Sequence, residues 1–229
     1  MRTVTRNPLI IALDLSDPDG AERLAKELAG SVAYLKIGLE LFTATGPSVV
    51  ERISAHAPVF LDLKLHDIPN TVGRAARNVG RLGAALLTVH ALGGIEMVRA
   101  AVEGAAEGAS GGGVDPPGIV GITVLSSLAG EDLASPASLA FEAMSAGATG
   151  VVVSGVDVAM VREALGPMAA LIVPGIRPGG HASNDHVRVL SPREALERGA
   201  DYLVVGRPIT EASDPAAAAH ALLREVGVE

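Results

Sequence analysis

Short apolar, β-branched runs alternate along the chain with longer alanine-rich stretches whose apolar positions recur at helical spacing. This rhythm predicts repeated βα units around a parallel sheet. Eight runs stand out: "PLIIALD" (8–14), "VAYLKIG" (32–38), "VFLDLK" (59–64), "ALLTVHA" (85–91), "GIVGITVL" (118–125), "GVVVSG" (150–155), "ALIVPG" (170–175) and "DYLVVG" (201–206). Helix starts are readable between them. "SDPDGAERLAKELA" opens on Ser and Asp in capping position, and "SPREALERGA" sets Ser191, Pro192 and Glu194 in a first turn. One helix after each of eight strands fits a (β/α)8 TIM barrel of about 250 residues, whereas an open doubly wound sheet more often stops at about five or six strands. The expectation is therefore an α/β protein with one barrel domain over residues 1–229. "GASGGGVDPPG" (108–118) reads as a flexible connector into the fifth strand.

The third run breaks the pattern. "FLDLKLHDIP" (60–69) places Asp62, Lys64, His66 and Asp67 among apolar neighbours. Alternation along a strand sends Asp62 and Lys64 to one side, toward the barrel axis, and Leu61, Leu63 and Leu65 to the other, toward the helices. Ligand sites of such barrels lie at the C-terminal ends of the strands. There the first strand ends in Asp14, the second carries Lys36 just before Gly38, and the fourth ends at His90. Two of the three lysines in the chain thus sit at strand ends. One buried ion pair is a poor route to stability and would by itself mean little. Four groups, Asp14, Lys36, Asp62 and Lys64, at one mouth point instead to function. Carboxylates on either side favour the ammonium form of a lysine, which can then act as a general acid.

A second constellation follows strands seven and eight. "PGIRPGG" (174–180) supplies Pro174 and Arg177, and "VVGRPIT" (204–210) supplies Gly206 and Arg207. Loops after these two strands commonly hold a phosphate, with glycine amides approaching the anion and arginine clamping it. The stretch from about 176 to 191, with Gly179, Gly180, Ser183 and Asn184, has the composition of a lid that closes over a phosphorylated ligand. His56 and His220 fall on outer helices and read as solvent-facing, and His66 as a brace for the loop after strand three.

Composition narrows the classes. The formal net charge of −8 and the 2% aromatic content argue against a nucleic-acid partner, and 48% hydrophobic residues suffice for a substantial core. Cysteine is absent, which removes thiolate nucleophiles and disulfides. The N-terminal apolar run is too short for a membrane span or a signal peptide, so a cytoplasmic protein is expected. No Walker loop is present, and the absence of cysteine leaves no zinc-thiolate site.

"DLKLHDIPNTV", with "IIALD", "LKIGLELF", "TVHALGG", "TVLSS", "VPGIRPGG" and "VVGRPIT" in order from Pro8 to the C-terminus, resembles the bacterial-type orotidine 5′-phosphate decarboxylase family. The resemblance implies cofactor-independent conversion of orotidine 5′-monophosphate to uridine 5′-monophosphate, the last step of de novo pyrimidine synthesis. It implies that Asp14 and Lys36 contact the ribose side, that Asp62 lies against the substrate carboxylate and that Lys64 donates the proton. Asp67, Ile68 and Thr71 would reach into the partner's site of a homodimer. Ser126 would read the pyrimidine edge, Arg177, Gly206 and Arg207 would hold the phosphate, and Pro174 would also bind the substrate. His186 stands where the family pattern has a glutamine, and inherits its phosphate contact. Two other readings stay open: a magnesium-dependent sugar-phosphate decarboxylase or aldolase of the same superfamily, and a non-catalytic sensor of phosphoribosyl ligands.

Overall fold

The structure, a computed structural model, describes residues 7–124, 135–177 and 190–228. Eight parallel strands close into a barrel in sequence order: β1 (Leu9–Ala12), β2 (Tyr34–Ile37), β3 (Val59–Leu65), β4 (Leu86–His90), β5 (Gly118–Ile122), β6 (Gly150–Val152), β7 (Ala170–Val173) and β8 (Tyr202–Val205), with β8 pairing back onto β1. Each lies within one of the eight apolar runs, apart from the last residue of β3. The helices are α1 (Pro18–Glu27), α2 (Leu39–Thr45), α3 (Ser48–Ser54), α4 (Pro69–Gly80), α5 (Gly94–Gly112), α6 (Pro136–Ser145), α7 (Val158–Leu165), α8 (Pro192–Glu197), α9 (Arg207–Thr210) and α10 (Pro215–Glu225). None of them is long and apolar enough to cross a membrane.

The expectation of one helix per strand needs correction. β2 is followed by both α2 and α3, β8 by both α9 and α10, and a 3-10 turn at Ala91–Gly93 precedes α5. The predicted caps of two helices do form. The Asp17 carboxylate accepts from the amides of Asp19 and Gly20 at the start of α1, and Ser191 and Glu194 make a reciprocal capping box on α8.

The connector expected at 108–118 is also corrected, because Gly108 to Gly112 belong to α5. Two glycines of this helix, Gly104 and Gly108, serve close packing rather than flexibility. A Cβ at Gly104 would lie 2.1 Å from the carbonyl oxygen of Gly73, and one at Gly108 would lie 1.9 Å from that of Arg77. Backbone of α5 therefore rests directly on backbone of α4, and the helix stops only where Gly113 takes a left-handed conformation at φ 69°.

Two apolar cores follow from strand alternation. The larger fills the space between barrel and helices, and includes Leu9, Ile11, Leu35, Ile37, Leu61, Leu87, Val89, Val151 and Leu203. The smaller fills the barrel itself, with Ile10, Ala12, Phe60, Val120, Ile172 and Val204. Tyr34 and Tyr202, the first residues of β2 and β8, meet edge to face at 5.5 Å beneath it. Toward the C-terminal mouth the inward positions change character: Tyr34 gives way to Lys36, Phe60 to Asp62, and Leu86 to Thr88 and then His90. Apolar packing below thus forms a floor on which polar groups are held.

Candidate active site

Lys36, Asp62 and Lys64 form a continuous ionic chain with Asp14. The Lys36 ammonium donates to Asp14 Oδ1 at 3.0 Å and lies 3.7 Å from Asp62 Oδ2. Lys64 Nζ donates to that same Asp62 oxygen at 2.7 Å. Side-chain exposure rises from 11% at Lys36 and Asp62 to 34% at Lys64 and 60% at Asp14, so the inner pair is walled in while the chain's two ends face the mouth. The four charges sum to zero, which lowers the cost of burying them.

Backbone geometry sets Lys64 apart. It has a φ of 50°, the only positive value at a non-glycine among the described residues. The β3–β4 register passes from Leu61↔Leu87 to Leu65↔Val89, so four steps on β3 match two on β4. This bulge re-aims the end of the strand, and a left-handed conformation at such a residue costs on the order of 1–3 kcal/mol. Leu61 is fully buried and Leu63 and Leu65 pack on the outer core, as alternation predicts.

Three further groups shape the cluster: His90, which the sequence already places at the end of the fourth strand, and Thr88 and Gly38, whose roles it does not reveal. The Thr88 hydroxyl, fully buried on β4, accepts from the Lys64 backbone amide at 2.8 Å and donates to Asp62 Oδ1 at 3.0 Å. Gly38 leaves room for the first ion pair, since a Cβ there would lie 3.1 Å from Lys36 Nζ and 3.3 Å from Asp14 Oδ1. His90 stacks on His66 with ring centroids 5.1 Å apart, and its buried Nδ1 has no hydrogen-bond partner among the described residues. Burial above all, then His66 and Lys64, pushes the His90 imidazole below the usual histidine range, against a smaller opposing pull from Asp62. The expected brace at His66 thus takes the form of a ring contact. His220 is exposed yet lies 3.1 Å from Ser31 Oγ, so it is not purely solvent-facing.

The other candidate residues lie elsewhere around the mouth. Asp67, Ile68 and Thr71 form an exposed ridge from the end of β3 into α4; Asp67 Oδ1 accepts from the Ile68 amide, and Ile68 is 64% exposed. Within one chain none of the three joins the ionic cluster. Past β7, Pro174 is exposed, Gly175 is left-handed at φ 75°, and the Arg177 amide donates to the Leu190 carbonyl at 3.4 Å. Past β8, Gly206 and exposed Arg207 begin α9. A Cβ at Gly206 would lie 4.0 Å from Asp14 Oδ2, which puts the arginine-bearing loop beside the outer end of the ionic chain. Ser126, His186 and most of the expected lid at 176–191 lie outside the described residues.

Residues 7–222 match the model of the "Orotidine 5'-phosphate decarboxylase / HUMPS family". The chain is 50% identical to a protein named orotidine 5'-phosphate decarboxylase from Anaeromyxobacter sp. strain K, over 92% of this chain and 94% of that one. It is 45% identical to one of the same name from Paramagnetospirillum magneticum, over 97% and 99%. A crystal structure of orotidine 5'-phosphate decarboxylase from Lactobacillus acidophilus superposes with a TM-score of 0.83 at 35% identity, over 97% of this chain and all of the other. Motif order, closed barrel and near-full-length similarity agree: the chain belongs to the orotidine 5'-phosphate decarboxylase / HUMPS family.

Proposed function

We propose that the protein decarboxylates orotidine 5′-monophosphate to uridine 5′-monophosphate without a cofactor, in the cytoplasm, as the last step of de novo pyrimidine synthesis. The observation that carries the proposal is the alternating Asp14, Lys36, Asp62, Lys64 chain at the C-terminal mouth. Cleavage of the C6–carboxylate bond leaves its electron pair on an sp² carbon that cannot share it with the ring π system. The protein must therefore favour that charge electrostatically. Lys64, already held beside Asp62, stabilises the developing carbanion and then transfers its proton to C6. The substrate carboxylate would sit beside Asp62, where two like charges ~4 Å apart at an effective dielectric near 20 repel by roughly 4 kcal/mol. Departure of neutral CO₂ relieves that repulsion.

Arg177, Gly206 and Arg207 hold the phosphate, whose binding contributes energy for ordering the reacting centre, and Pro174 also lines the substrate site. Ser126 reads the pyrimidine edge, and His186 serves the phosphate in place of the family's glutamine. Asp67, Ile68 and Thr71 enter the site of a second copy; their exposure and lack of any link to the cluster of their own chain support this role.

Loss of orotidylate absorbance by the purified protein, with release of CO₂ and with EDTA present, is the test. Activity that disappears with EDTA would favour the magnesium-dependent sugar-phosphate reading. In the same assay, Lys64→Ala and Asp67→Asn proteins should each be inactive but regain activity when mixed. No recovery on mixing would remove Asp67 from the partner's site.

A further inference from the structure

We propose that Thr88 is a positioning residue of the active site, holding the Lys64 ammonium and the Asp62 carboxylate in register through one hydroxyl. The inference rests on the decarboxylase reading above. An amide can only donate and a carboxylate can only accept, so the two contacts fix the direction of the Thr88 hydroxyl. The groups close a ring. Thr88 Oγ1 bonds Asp62 Oδ1, Asp62 Oδ2 bonds Lys64 Nζ, and the amide of that same lysine returns to Thr88 Oγ1. Each carboxylate oxygen of Asp62 thereby has its own donor, and the carboxylate is fixed in rotation. The ring also spans the bulge, where β3 leaves its regular ladder with β4 and Lys64 adopts its left-handed conformation. A hydroxyl from the adjacent strand thus takes up the amide that the bulge turns inward. Full burial excludes water as a substitute for either bond.

The Thr88→Val side chain has nearly the same shape but neither bond, whereas Thr88→Ser keeps both. With wild-type protein active, Thr88→Val should lower kcat by roughly tenfold to a hundredfold, with KM and affinity for uridine 5′-monophosphate within about twofold of wild type. Thr88→Ser should restore most of kcat. Amide hydrogen exchange supplies a readout independent of turnover: the Lys64 amide should be protected in wild type and Thr88→Ser, and exchange faster in Thr88→Val. A folded Thr88→Val protein with wild-type kcat and unchanged Lys64 exchange would overturn the proposal. Were Thr88→Val not to fold, Thr88→Ala carries the same comparison without added bulk. A wild-type protein that fails to decarboxylate yet shows Thr88-dependent protection would sink the functional reading and retain the clamp.

Discussion

Among single residues, His90 carries the clearest pH signature. Its folded-state pKa is depressed by burial and by His66 and Lys64, so the fold favours the neutral ring. Above the unfolded value of about 6.5 both states are neutral and the full stability is present; as pH falls the unfolded chain takes up the proton first. Stability should therefore decline as pH drops from about 6.5 through the folded pKa. The melting temperature of His90→Asn, measured against wild type from pH 7.5 to 5, should gain on wild type toward acid. A constant gap would assign the acid loss elsewhere. Much at this scale was readable in the chain. Asp14, Lys36, Asp62 and Lys64 lie at ends of apolar runs, and strand parity brings three of them inward. Thr88 was missed because a lone threonine in "ALLTVHA" looks like an ordinary β-former; its shared parity with Leu86 and His90 was the available signal. Gly38 was missed because crowding between side chains from different strands has no local sequence signature.

For the elements, propensity and packing compete most openly along α5. Glycine in a helix interior costs about 1 kcal/mol relative to alanine, so Gly108→Ala should stabilise an isolated helix. In the fold its Cβ would fall 1.9 Å from a carbonyl oxygen of α4, and forcing the two backbones apart costs typically about 1–3 kcal/mol. The clash outweighs the propensity. Gly108→Ala should lower the denaturant midpoint, and an unchanged or higher midpoint would show that α4 and α5 separate freely. The same competition explains why "GASGGGVDPPG" reads as a connector in the sequence: glycine enrichment marks turns and helix contacts alike, and only the α4 partner tells them apart. The strands were easier, since alternation and β-branched runs are local properties. The division of helical stretches into α2 with α3 and α9 with α10 depends on how each segment meets the barrel.

Across the whole molecule, the closed barrel gathers four charges from two strands, β2 and β3, and the loop after β1 onto an apolar floor of Phe60, Val120 and Ile172. No single element could do so, and the net neutrality of the set makes its burial tolerable. The charges are held by contacts within the chain itself, and a set fixed in that way can stabilise a transition state without reorganisation. Lys64→Ala tests this account most directly, with turnover of orotidine 5′-monophosphate and binding of uridine 5′-monophosphate measured on the same folded sample. The account predicts turnover abolished and product affinity within a fewfold of wild type, because the lysine acts on charge that develops only during reaction. A Lys64→Ala protein that retained wild-type kcat would contradict it.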